Sequence, residues 1–245
     1  MAEAISDRQI VAALRPFVRA AGPVVAAMRT PGRLRRFAAL KVPGSVAWRG
    51  LSAQARTMWW INRVGRLTAL VTAIPGLGGA LADRLPVQDA LGASAQGLLL
   101  CAIAEEHGVH DVADRVRLLA WVLFKREVDP ALAAGKQDDP STAAESKNAE
   151  DAEVAKLTGD FGRQMKRRIT IAACAAALWR LARLLMAISG ELEKRPRGHF
   201  YQRFVGALPV IGMLGDYLAE RSALRHSARA TAKWLSNQGI SASRT

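Results

Sequence analysis

Apolar positions recur along this chain with the period of an α-helix, and polar breaks divide the pattern into segments. From residue 5 to residue 21, Ile10, Leu14, Phe17 and Val18 fall on one face of an amphipathic helix. Shorter helical pieces are expected over 23–28 and 34–40, separated by Thr30-Pro31-Gly32. Residues 51–73 read as one long helix with Ser52 as its N-cap, stopped by Pro75-Gly76. Helices over 77–85, 87–106 and 109–124 follow closely. Asp83 closes one and Pro86 opens the next at its first turn, where a missing N–H costs nothing. Gly108 suits the stop after Glu106-His107. Strand signals are almost absent, and Ala, Leu, Arg and Glu favour helix throughout. The fold class expected is all-α, a multi-helix bundle.

The pattern fails between about 125 and 155. That stretch is polar and acidic, holds Pro130, Gly135 and Pro140, and offers few large apolar side chains. It reads as a flexible acidic loop or linker. Helices over 155–188 and 200–235 complete the chain. The expected organisation is therefore basic N-terminal helices over 1–46, a helical domain split into 47–124 and 156–238 by the acidic insertion 125–155, and a disordered tail over 239–245.

Two uncharged runs, 67–82 and 90–104, approach the length of a membrane span without reaching the roughly 18–20 residues one needs. They fit buried core helices, or a hairpin dipping into one leaflet. The N-terminus carries Glu3 and Asp7 and lacks an unbroken apolar core, so no secretory signal is expected. A cytoplasmic location with reduced cysteines follows as the default expectation.

Charge sharpens this picture. The 245 residues carry 35 Lys+Arg against 21 Asp+Glu, a net charge of +14. Residues 1–68 are net +10 and 161–245 net +11, whereas 69–124 and 125–160 are net −3 and −4. Two basic arms flank an acidic middle, which calls for an anionic partner. The basic arms interleave with aromatic and aliphatic residues. Arg29, Arg33, Arg35, Arg36 and Lys41 alternate with apolar side chains; Trp48, then Trp59-Trp60 with Arg63 and Arg66, continue the theme. Lys166, Arg167 and Arg168 repeat it in the second arm. Guanidinium beside indole suits an anionic membrane interface, the cation on phosphate and the ring at the acyl boundary. In a soluble bundle, Trp59 or Trp60 would be core instead. Neighbouring positions on a helix cannot both face one core, so one of the two should be partly exposed.

Two Pro–Gly segments echo each other. Pro75, Gly76, Gly78 and Gly79 lie in the first, and Pro209, Gly212 and Gly215 in the second. Small residues three or four apart let helices approach closely, so both segments read as helix-packing sites. An anion held at a helix N-terminus is the other reading of them.

The order of a long helix, IPGLGGALAD (74–83), an apolar helix ending in IAEEHG (Ile103–Gly108), a polar insertion and the closing LPVIGMLGDYLAERSALRHSARATAKWL (208–235) resembles the EcsC family of bacterial proteins. The resemblance covers roughly residues 50–238 and is sharpest at the two Gly-rich segments. It implies an all-helical cytoplasmic protein with affinity for membranes, and it carries no catalytic residues.

Candidate chemistry is thin. Glu105-Glu106-His107-Gly108-Val109-His110-Asp111 is the densest set of potential ligands. Zinc needs three or four converging ligands, and a turn at Gly108 would scatter these, so a solvated helix end is expected. Cys101 and Cys174 sit in Ala/Leu-rich stretches and read as buried, inert thiols. Asp83, Asp89, Asp216 and Glu220 form an acidic set that an enzyme could use, and that capping explains more simply. No cofactor or metal is expected. The function expected is a non-enzymatic, peripheral or monotopic protein at the inner face of the cell membrane, binding anionic lipid headgroups and accessory to an envelope or transport process. Anionic membrane lipids are its expected partners, with a membrane protein as a further candidate. A nucleic-acid binder and a helical enzyme acting on lipid or envelope precursors are the alternatives.

Overall fold

A computed structural model describes residues 6–29, 43, 45–72, 85–136, 147–148, 151–152, 154–155, 171–186, 188 and 211–238. Within them the chain is an all-α multi-helix bundle. We number its helices α1 (Asp7–Arg29), α2 (Val46–Arg49), α3 (Ala53–Thr72), α4 (Leu85–Glu106), α5 (Val112–Phe124), α6 (Pro130–Ala133), α7 (Ile171–Met186) and α8 (Ile211–Asn237).

Helix α4 is the axis. It packs against α1, α3, α5, α7 and α8, and every residue from 92 to 104 is buried. A helix apolar on all sides must be enclosed on all sides. The uncharged run 90–104, for which a hairpin dipping into one leaflet was the alternative to a core helix, is therefore the centre of the protein core. No helix among the described residues is long and apolar enough to cross a membrane. Cys101 lies at this centre, and burial raises its thiol to about 12, with the charge of Arg115 opposing and that of Glu105 adding to the rise.

Helix α1 is longer than the sequence suggests. Proline removes a backbone donor and clashes with the preceding turn, so a break near Pro23 was expected. Yet α1 runs through both Pro16 and Pro23. Ile10, Leu14, Phe17 and Val18 face inward as expected, and Val24, Val25 and Met28 extend the same buried stripe past Pro23. Apolar burial on both flanks outweighs the lost hydrogen bond. The close crossing of α1 and α4 depends on Gly97, where a Cβ would lie 2.7 Å from the Phe17 ring.

Other boundaries follow local chemistry. The Ser52 hydroxyl accepts from the Ala55 N–H at 3.2 Å, capping α3 as expected. Pro86 sits in the first turn of α4. Gly108 adopts φ +75, and the Val109 N–H returns to the Ala104 carbonyl at 2.9 Å, ending α4. Asp111 caps α5 by accepting from the Asp114 N–H at 3.1 Å, so α5 begins at Val112 rather than 109.

Residues 125–136, the first part of the stretch expected as a flexible acidic loop or linker, pack against the bundle. Lys125 ends α5 in the left-handed conformation. Asp129 then caps α6 by accepting from the Ala131 and Leu132 N–H groups. Val128 and Ala133 are buried, and α6 packs on α5 and α1. Few apolar residues are available here, but two suffice when an Asx cap fixes the turn. Residues 73–84, which hold Pro75, Gly76, Gly78 and Gly79, lie outside the described residues, as do Pro209 and the tail 239–245. Gly212 and Gly215 belong to the first turns of α8.

Candidate functional site: a carboxylate, arginine and tryptophan network

The densest polar chemistry gathers at the C-terminal end of α4. Glu105 and Glu106 occupy its last turn, where the helix dipole is already negative. Carboxylates there are unfavourable unless cations compensate, and the tertiary fold brings three arginines from three other helices. Arg29, in the last turn of α1, reaches Glu105 at 3.2 Å and Glu106 at 3.6 Å. Arg56 of α3 reaches Glu106 at 3.7 Å. Arg115 of α5 pairs with Glu105 and donates from Nε to the Val109 carbonyl at 2.7 Å.

Two indoles complete the coordination of Glu106, whose side chain is only 8% exposed. Trp48 Nε1 donates to Oε2 and Trp60 Nε1 donates to Oε1, each at 3.3 Å. Trp48 is held by the Ser45 cap on α2, where the hydroxyl accepts from the Trp48 N–H at 3.0 Å. Trp59 packs edge-on against both neighbours, with centroids 5.1 Å from Trp48 and 5.0 Å from Trp60. Outside them, the exposed Arg63 lies 5.7 Å over the Trp59 ring, one helical turn along.

Electrostatics follow from this geometry. Burial pushes the Glu105 carboxyl up, but the Arg115 hydrogen bond and the charges of Arg115, His110 and Arg29 outweigh it. The net result is a value below the ordinary one. Burial lowers the His107 imidazole, and Arg56 adds to this while Glu106 opposes it. Its Nδ1 is buried without a hydrogen-bond partner. His110 is exposed and lies 3.5 Å from Glu105.

The expected residues therefore separate. Arg29, Trp48, Trp59, Trp60 and Arg63 do come together, but around a carboxylate rather than on an open face. Trp48 and Trp60 are 3% and 0% exposed, and their N–H groups point inward. Trp59 is the partly exposed member of its pair. Arg33, Arg35, Arg36, Lys41, Lys166, Arg167 and Arg168 lie outside the described residues, and Arg66 is described only as a position in α3. The expectation of a solvated end at Glu105-Glu106 is overturned, because these two carboxylates anchor the network. Arg56 and Arg115 escaped sequence reasoning. The available signal was two adjacent glutamates at the wrong end of an apolar helix, which require cations from elsewhere in the fold.

The arrangement binds itself. A hollow of about 400 Å³ beside it is lined by Gly22, Val25, Ala26, Arg29 and Glu105, and its two charged groups pair with each other. Among the described residues, no group of three or more His, Cys, Asp or Glu side chains could hold a metal ion. Comparison with family models, with curated proteins and with solved structures found no match.

Proposed function

We propose that this protein is a peripheral membrane-associated helical protein that binds anionic lipid headgroups at the inner face of the cell membrane. One observation carries the reading. Seven acidic side chains, Asp7, Glu105, Glu106, Asp111, Asp114, Asp129 and Asp151, are committed to internal partners. Asp7 pairs with Arg126, Asp114 with Arg117 and Asp151 with Arg19. Glu105 and Glu106 hold the network, and Asp111 and Asp129 cap helices. Cations are left outside: Arg63, Arg183, Arg225, Arg229 and Lys233 are all exposed. Among the described side chains the charge left facing solvent is therefore mainly positive, in a chain of net +14, and a leaflet rich in anionic headgroups is the partner that such a field draws. Membership of the EcsC family, which the sequence resembles, belongs to the same proposal.

The test is co-sedimentation with vesicles of phosphatidylcholine, with and without phosphatidylglycerol, at low and high salt. Binding that requires the anionic lipid and weakens as salt shortens the screening length, about 10 Å at 0.1 M, supports the reading. Equal binding to both vesicles, or none to either, rejects it.

A further inference from the structure

The last 25 residues, 221–245, contain five basic side chains and no acidic one. Four of the five, Arg221, Arg225, Arg229 and Lys233, recur every fourth position on α8. Side chains four apart on a helix are neighbours on one face, so Arg225, Arg229 and Lys233 form a single row. Leu224, Ser227, Ala228, Thr231, Trp234 and Leu235 bury the opposite face against α3, α4 and α5. Arg225, Arg229 and Lys233 are exposed, and none of the three forms an ion pair among the described residues.

Such a row is self-repelling. Like charges at i,i+4 destabilise a helix, and here three follow in succession with no ion pair to any of them among the described residues. Nor does hydrophobic burial require arginine or lysine at these positions. An anionic partner removes the repulsion and gains attraction from every member of the row.

We propose that the outer face of α8, through Arg225, Arg229 and Lys233, is the surface that meets the anionic leaflet. The proposal rests on the lipid-binding reading above and locates it. The flanking outer residues, His226, Ala232 and Ser236, are exposed and of small or moderate size. The cations are therefore the longest side chains on the exposed face of a helix packed on three others. The row lies in the C-terminal half of α8, whereas the recognition helix of a helix-turn-helix contacts base edges with its N-terminal residues. Among the side chains described on α8 the one aromatic ring, Trp234, is buried and does not accompany the row to stack on a base, as single-strand binders use.

The experiment compares the full chain with the triple variant Arg225→Gln, Arg229→Gln, Lys233→Gln on vesicles of phosphatidylcholine and phosphatidylglycerol. Glutamine keeps helix propensity, and circular dichroism confirms that α8 persists. Each Lys or Arg beside an anionic leaflet contributes about 1 kcal/mol, so the partition coefficient should fall about a hundredfold. A control variant with the same net charge, Arg49→Gln, Lys136→Gln, Lys147→Gln, should fall far less, because only cations near the leaflet contribute fully. If both variants fall equally, net charge alone matters and the proposal is wrong. It is equally wrong if the unmodified chain binds and the α8 variant binds as well. An unmodified chain that ignores these vesicles, including one that instead shifts RNA or DNA at low salt, overturns the lipid reading itself.

Discussion

Replacing Glu106 by alanine should be among the most damaging single changes in this protein. Its carboxylate accepts from Trp48 and Trp60 at 3.3 Å each and lies 3.6–3.7 Å from Arg29 and Arg56. Removing it strands two indole N–H groups belonging to buried rings, and each unsatisfied buried donor costs about 1–3 kcal/mol. The arginines lose less. Arg29 retains Glu105, Arg56 retains the Leu51 and Arg49 carbonyls, and both are partly solvated. Their share is below about 1 kcal/mol, as for exposed pairs. The sum for Glu106→Ala is about 3–5 kcal/mol, matching the usual cost of breaking a buried pair from one side. Glu106→Gln should cost about 2 kcal/mol, because the amide oxygen can accept from one indole while the amide nitrogen cannot accept from the other. Urea denaturation followed by far-ultraviolet circular dichroism measures both, with unchanged m-values as the check that the same transition is observed. A loss under about 1 kcal/mol for the alanine variant would place the network in the energetic class of a surface ion pair and refute the reasoning.

Three further outcomes are expected. The Cys101 thiol, raised to about 12 at the centre of α4, should resist alkylation in the folded protein and react only when denatured. A Cys174→Ser background isolates that signal, and rapid native labelling would contradict the burial. Acid should weaken the fold in two stages, because Glu105 and His107 both titrate below their ordinary values of 4.5 and 6.5. In each case the unfolded chain takes the proton first, so stability is full above the ordinary value and is lost as pH falls through the lower folded value. His107→Gln should flatten the upper stage of the stability–pH curve and Glu105→Gln the lower. Finally, Gly97→Ala places a Cβ 2.7 Å from the buried Phe17 ring. Overpacking of this kind costs about 1–3 kcal/mol, against which alanine returns up to about 1 kcal/mol of helix propensity. A net loss in thermal stability, reversed by adding Phe17→Leu, is the signature of that contact.

Periodicity and composition alone carry the all-helical class, the caps at Ser52 and Gly108, the inward face of Ile10, Leu14, Phe17 and Val18, and the split exposure of Trp59 and Trp60. These depend on interactions within a turn or two, which a linear sequence displays. Segregation of charge into two arms is equally a property of the sequence. What the sequence left open was decided by contacts across the fold. The run 90–104 had the composition of a leaflet-dipping helix, and only five enclosing helices made it a core. Pro23 looked like a terminator until burial on both sides of it held α1 together. Glu105 and Glu106 looked solvated because their cations, Arg29, Arg56 and Arg115, lie far from one another in sequence. Trp48 and Trp60 carried the composition of an interface, yet the same indole N–H that suits a lipid headgroup is satisfied here by one buried carboxylate. Whether a polar group faces water, lipid or another side chain depends on what the rest of the chain places within about 3 Å of it, and only the tertiary structure sets that.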